Sequence, residues 1–355
     1  MYEFLNELLG NQILAMLLTA AVPLVFILLF TLFAVWLERK VSAHMQDRLG
    51  PMRVGWHGSL QLIADFLKIL QKEAPVSLEA DKPLYNFAPV LVFAGSFAAF
   101  AAIPFSSKLI GSEIELGLFY ILAVSSFMVI GILMAGWSSN NKYSLLGAMR
   151  SAAQIVSYEI PTALVVLGMI MLTGTLSLTK ISEMQTSSFW NWYILGGPGL
   201  SLSKFLLIPF MIIGFIIIYI STLAEVNRTP FDIPEAESEL VAGYFTEYPG
   251  IKYAMFMLTE YANMFAVSAI VSILFFGGYQ SPIGYLGNML GIHWMIPFEQ
   301  AFWFISKGLF FVFVQIWLRW TLPRLRVDQL MALCWKYLIP YAFLNLIIIG
   351  IISLL

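Results

Sequence analysis

Eight apolar runs, each about as long as a bilayer is thick, decide what this chain can become. They span roughly 13–37, 86–106, 117–136, 158–176, 205–224, 254–276, 299–320 and 337–355. A hydrocarbon core about 30 Å thick takes about 20 apolar residues as a helix, which satisfies its own backbone amides without water. The chain is 60% hydrophobic and only 11% charged, with a mean hydropathy of +0.83. That leaves too little polar surface to keep it in solution, so a water-soluble fold is excluded. The expectation is an all-α, polytopic membrane protein of eight transmembrane helices in one domain, residues 1–355. The first run lacks a basic n-region and reads as a retained helix rather than a cleaved signal peptide.

An even number of spans puts both termini on one side. The loops 38–85, 137–157, 225–253 and 319–336 then share the other side, and they hold 15 of the 19 lysines and arginines. Basic loops stay inside, so these face the cytoplasm and both termini lie outside; a bacterial inner membrane is the expected setting. Lys307 falls within the seventh run. A lysine at that depth costs roughly 2.5–3.5 kcal/mol, so it should face the bundle or water, or snorkel to the outer surface. Within the first inner loop, 59–72 reads as a further helix. Gln61, Asp65, Lys68 and Lys72 fall at i, i+4, i+7 and i+11, a polar stripe on an apolar helix. Too short and too charged to span, it belongs in the interface plane or against a partner protein. The single Cys334 and the scattered His44, His57 and His293 exclude an internal disulfide. They also offer no ligand spacing for a metal, a haem or an iron–sulfur cluster. Nothing points to nucleic acid.

The acids are concentrated. Seven of 21 carboxylates lie between Leu223 and Glu260: Glu225, Asp232, Glu235, Glu237, Glu239, Glu247 and Glu260, against only Arg228 and Lys252. Glu225 closes the fifth run, Glu260 lies about 10 Å into the sixth, and Glu159 opens the fourth. Carboxylates among Ile, Phe, Met and Leu are costly unless paired, hydrated or protonated. Desolvated neighbours titrate as a coupled set with raised pKa values, which a proton path near neutral pH needs. Tyr158 and Tyr261 stand beside two of them and can extend a hydrogen-bonded relay. Structural bonding between helices is the alternative, with Glu159 as a helix-dipole cap and Glu38-Arg39-Lys40 as a stop-transfer anchor. Pro230 and Pro234 make the loop 225–253 start stiff and irregular. Glu235, Glu237 and Glu239, at i, i+2 and i+4, cannot share one helix face; a solvated acidic loop is the plain reading, opposed by the interleaved Phe231, Leu240, Val241, Tyr244 and Phe245. The far-side loops 177–204 and 277–298 suggest no chemistry.

The charged loops also carry long, rare tracts. They include Glu38-Arg39-Lys40, Gln46-x-Arg48-x-Gly50-Pro51, Leu60-Gln61-x-x-Ala64-Asp65, Gly147-Ala148-x-Arg150 and Gln154-x-x-Ser157-Tyr158-Glu159. Further on come Ala224-Glu225-x-Asn227-Arg228-Thr229-Pro230-Phe231-Asp232, Glu235-x-Glu237-Ser238-Glu239-Leu240-Val241, Glu260-Tyr261 and Pro323-Arg324-x-Arg326-x-Asp328-Gln329-Leu330. Together they cover nearly the whole chain and resemble the membrane H-subunit family of bacterial proton-pumping NADH:quinone oxidoreductase (respiratory complex I), the family of mitochondrial NADH dehydrogenase subunit 1. Met52 and Ala236 depart from the family's usual Asn and frequent Gly. The resemblance implies a quinone chamber framed by helices one and six and the helix 59–72, with Arg39, Arg48, Asp65, Arg228 and Phe231 near it. It implies a proton path through Glu225, Glu159 and Glu260, and Glu235, Glu237 and Glu239 are expected to belong to the same path. No redox cofactor is expected in this chain. Quinone is the substrate, while FMN and iron–sulfur clusters sit in hydrophilic partner subunits that dock on the inner loops, with small membrane subunits alongside. Similar subunits occur in membrane-bound hydrogenases, formate hydrogenlyases and ferredoxin-linked complexes. A standalone transporter would show inverted repeats and broken midplane helices; no repeat is visible here, and the charges cluster at one interface.

Overall fold

The computed structural model describes residues 10–199, 202–234, 236–289 and 291–354. Among them there are helices and no strand. The chain runs α1 (Gln12–Met45), α2 (Gln61–Gln71), α3 (Lys82–Ala99), α4 (Gly117–Ser138), α5 (Lys142–Thr173) and α6 (Leu178–Met184). It continues through α7 (Leu202–Glu225), α8 (Glu237–Leu240), α9 (Ile251–Phe275), α10 (Leu286–Met289), α11 (Ile296–Thr321), α12 (Val327–Ala332) and α13 (Ile339–Ser353). A π-helical segment, Leu333–Leu338, joins α12 to α13.

Among the described residues, seven helices are long and apolar enough to cross a membrane: α1, α4, α5, α7, α9, α11 and the composite Val327–Ser353. The remaining expected run, 86–106, is carried by α3, which is 18 residues long. Lys82, Pro83 and Asn86 occupy its first turns and the helix ends at Ala99, so in length and composition it falls short of the other seven.

Two helix boundaries differ from expectation. Helix α1 continues past Leu37 to Met45, and Glu38 is buried within it rather than standing at an exposed edge. Helix α5 is continuous from Lys142, where the Asn141 side chain accepts from the Tyr143 N–H at 2.9 Å. Glu159 therefore lies about 26 Å along α5 instead of in its first turn, which removes the dipole-cap reading. Gly174 closes α5 in the left-handed region (φ 65°), its N–H on the Ile170 carbonyl at 2.8 Å.

Helix α9 is the axis of the bundle. Of its most apolar stretch 78% is buried, against 22% for α1, and α9 packs on α3, α11, α1 and α7. Its Phe265 meets Phe26 and Phe30 of α1 at ring distances of 4.8 and 5.0 Å and Phe304 of α11 at 6.3 Å. Helix α5 packs on α4, α7 and α13. Gly147 of α5 lets the turn at 243–245 come close, since a Cβ there would lie 2.7 Å from Gly243 Cα. Helix α2 lies across α1 and α9. It buries Leu62, while Ile63, Leu67 and Leu70 are 45%, 52% and 44% exposed, so an apolar face of α2 is left uncovered by this chain.

Candidate functional site

The segment after α7 is folded inward, and a single amide organises it. Gln154 of α5 is buried, with Nε2 within 2.8 Å of the Ala224 carbonyl, 3.1 Å of Asn227 Oδ1 and 2.8 Å of the Phe231 carbonyl. Asn227 adopts φ 54°, a left-handed conformation that Asn tolerates better than most residues, and its Nδ2 donates to Ser151 Oγ at 3.0 Å. The Leu325 N–H donates to the Pro230 carbonyl at 3.1 Å. The Gly147/Ser151 side of α5 is small enough to let this strap lie close. The result is that Arg228, a residue of a polar loop in sequence, is only 4% exposed.

Arg228 faces two carboxylates. Nη1 is 3.7 Å from Glu38 Oε2 and Nη2 is 3.6 Å from Glu260 Oε2, and the guanidinium lies over the Tyr261 ring, 4.5 Å from its centroid. The Tyr261 hydroxyl donates to Glu38 Oε2 at 2.7 Å, and Arg319 of α11 pairs with Glu38 Oε1. Two arginines and two glutamates from α1, α9, α11 and the strap thus share one enclosed cluster. Buried charges are tolerated only when paired in this way. Beside them Asp232 Oδ2 lies 3.3 Å from Arg324 Nη2. Burial pushes the Asp232 carboxyl up to about 6, with Glu260 adding to the rise and Arg324 and Arg228 opposing it.

From this cluster a line of polar groups leads into the apolar bundle. A small cavity is bordered by Glu260, Thr259, Asn227, Asn263 and Glu225. Glu260 Oε1 is buried and has no hydrogen-bond partner among the described residues. Glu225 accepts from Thr162 Oγ1 at 2.7 Å. A second cavity encloses about 820 Å³ of space, mouth included, and is lined by Glu225, Thr162, Asn263, Ser96 and Ser125 among apolar side chains. Ser125 Oγ donates to Glu159 Oε1 at 3.3 Å. The two cavities share Glu225 and Asn263. Glu38 and Glu260 thus meet at Arg228, Glu260 and Glu225 border one cavity, and Ser125 ties Glu159 to the next, an interrupted line of four carboxylates.

The other expected residues fall elsewhere. Arg39 bonds Asp65 at 2.6 Å, and Gln61 Nε2 donates to the same carboxylate at 2.9 Å, latching α2 to α1. Burial raises the Asp65 pKa, but the hydrogen bonds from Arg39 and Gln61 and the charges of Arg39 and Lys68 outweigh it and hold the carboxyl below its ordinary value. Arg48 lies in the exposed turn after α1, donating to Gln46 at 2.7 Å. Phe231 is buried against Tyr158, ring centroids 5.5 Å apart. Glu239 is exposed and pairs with Arg150 at 2.6 Å, apart from the carboxylate file. Glu235 lies outside the described residues, as does the side chain of Glu237.

Two members of the cluster escaped the sequence reading, which took Glu38 for a membrane-edge anchor and Arg319 for part of a basic loop. The available signal was that Glu38 is the sole acid in the 34 residues of α1.

Residues 18–350 match the family model described as NADH dehydrogenase. The NADH-quinone oxidoreductase H subunit from Chlorobaculum tepidum is 52% identical, covering 95% of this chain and 92% of its own length. An H subunit of the same enzyme from Cytophaga hutchinsonii is 44% identical, with 92% and 96% covered. The H subunit from Brevibacillus brevis is 44% identical, with 94% and 92% covered. Matched over almost its entire length, the chain belongs to the NADH dehydrogenase family, alongside proteins named as H subunits of NADH-quinone oxidoreductase.

Proposed function

We propose that this chain is the membrane H subunit of a proton-translocating NADH:quinone oxidoreductase, contributing to the quinone chamber and linking quinone reduction to proton transfer along its carboxylates. The names of its relatives support the complex. The proton-transfer reading is carried by one observation: a file of carboxylates, Glu38 buried and Glu260, Glu225 and Glu159 half-buried, joined through Arg228, Thr162, Ser125 and two cavities that share Glu225.

In this reading the charged end faces the cytoplasm and both termini lie outside. Helix α3 makes the eighth span, and α2 rests in the interface with Ile63, Leu67 and Leu70 toward lipid. Quinone enters between α1, α9 and α2, past the Arg39–Asp65 latch and Arg48, toward Arg228 and the Phe231 strap. Glu235, Glu237, Glu239 and the basic segments belong to the face on which the hydrophilic subunits dock, bringing FMN and iron–sulfur clusters. Small membrane subunits cover part of the lipid-facing surface. The coupling is electrostatic. A charge change beside Arg228 alters its division between Glu38 and Glu260, and closely spaced carboxylates then re-equilibrate their protons as one set.

Glu225→Gln and Glu260→Gln test this in inverted membrane vesicles. NADH-driven acidification of the vesicle lumen and quinone reductase rate should both fall, by roughly the 10²-fold that loss of one proton-transfer group typically brings. Wild-type rates and pumping in both variants would remove the relay.

A further inference from the structure

Lys307, midway along α11, is the membrane-level charge that the carboxylate file does not use. Its Nζ donates to three backbone carbonyls, of Phe276 at 2.7 Å, Gly278 at 2.9 Å and Gln280 at 2.6 Å. On the remaining side it lies 4.2 Å from the centroid of the Trp192 ring. Carbonyls at i, i+2 and i+4 converge on one point because the two glycines between their ends, Gly277 (φ 75°) and Gly278 (φ 52°), take the left-handed region that side-chain-bearing residues resist. The bend is itself anchored. The Gly277 N–H donates to the buried Gln185 Oε1 at 2.9 Å and the Gly278 N–H to the Ser272 carbonyl at 2.8 Å. Phe276 directly follows α9, so the cation also sits at the negative end of that helix.

An ammonium has three protons and no acceptor. Here three carbonyls and one aromatic face complete its shell. A neutral amine in the same place would turn a lone pair toward a carbonyl oxygen and leave that carbonyl without a donor. We propose that the bend 276–280 and Trp192 form a receptor for an ammonium-sized monovalent cation, of which the tethered ammonium of Lys307 is the resident. On this reading Lys307 is a positioning residue that closes the far end of α9 as a permanent charge, and it does not carry protons. Glu260 lies 16 residues before Phe276 on or beside the same helix, about 24 Å away. The receptor therefore stands or falls separately from the carboxylate path.

The test uses the assembled complex, isolated from membranes bearing Lys307→Met, with and without millimolar ammonium or methylammonium. Without them, quinone reductase activity per membrane and the amount of complex surviving heating should fall roughly tenfold, as orphaned buried carbonyls imply. Ammonium or methylammonium should restore both, tetramethylammonium should not, and the pH profile of the remaining activity should match wild type. Should Lys307→Met yield no complex even with ammonium present, Lys307→Arg decides. A planar guanidinium cannot bring three N–H groups to one small cage, so that variant should be heat-labile. The proposal is overturned by a Lys307→Met complex as stable as wild type, by an assembled but heat-labile Lys307→Met complex that no small cation repairs, by a selective loss of pumping in a heat-stable complex, or by a Lys307→Arg complex of wild-type stability.

Discussion

Glu38 answers to two guanidinium groups and a phenol, all brought from more than 180 residues further along the chain. With the carboxylate at the centre, each arginine is offset; without it, Arg319 loses its ion pair and Arg228 keeps only Glu260. Breaking one partner out of a buried charge cluster costs about 3–5 kcal/mol. Glu38→Gln should therefore lower the thermal midpoint of the solubilised complex and the amount recovered from membranes, a drop that differential scanning fluorimetry would register; an unchanged midpoint would mean that Glu38 is hydrated in the complex. Asp232 makes a pH-dependent prediction. Its folded pKa of about 6 lies above the ordinary 3.8, so the folded state holds this proton more tightly than the unfolded chain. The stability it contributes is complete below about pH 4 and is lost as pH rises through about 6, up to about 3 kcal/mol for a shift of this size. Melting curves taken across that range should show a decline in wild type that Asp232→Asn lacks. Glu159, Glu225 and Glu260 were legible in sequence because an acid in an apolar run is conspicuous. Their partners were not, since Arg228, Thr162 and Ser125 are unremarkable until the fold brings them together.

At the scale of elements, apolar runs of bilayer length were sufficient to locate the helices but not their ends. Helix α1 passes through Glu38-Arg39-Lys40 because Glu38 is neutralised from α11 and the strap, which no local pattern reveals. Helix α5 begins 16 residues before its apolar run because small residues at 147, 148, 151 and 152 pack it against the turn at 243–245 and the strap. Two substitutions probe this contact. Gln154→Leu leaves the Asn227 amide oxygen without its donor, worth about 1–3 kcal/mol when buried unpaired, and removes one of the two bonds to each of the Ala224 and Phe231 carbonyls. It should lower both the melting midpoint and quinone reductase activity, whereas an active, stable variant would show that the strap holds without it. Gly147→Val overfills the crossing with the turn at Gly243, a strain of typically 1–3 kcal/mol. Recovery of the complex from membranes should fall, and wild-type recovery would place the slack in the 241–250 loop.

Taken as a whole, the chain concentrates most of its charge in the loops of one side and exposes apolar side chains along its flanks, among them Leu17 on α1, Leu167 on α5 and Phe343 on α13, each between 48% and 64% exposed. Such surface suits lipid or neighbouring membrane chains. The alternation of Glu235, Glu237 and Glu239 said little in sequence, and Glu239 proves to be paired with Arg150 at the surface, apart from the carboxylate file. The most direct measurement is infrared difference spectroscopy of the assembled complex, recorded as bound quinone is reduced, in wild type and Glu225→Gln. A change in the carbonyl stretch of protonated carboxylic acids, diminished in the variant, is expected if quinone chemistry shifts protons on these residues. A quinone signal unaccompanied by any carboxylic-acid band, or a band identical in the variant, would contradict it.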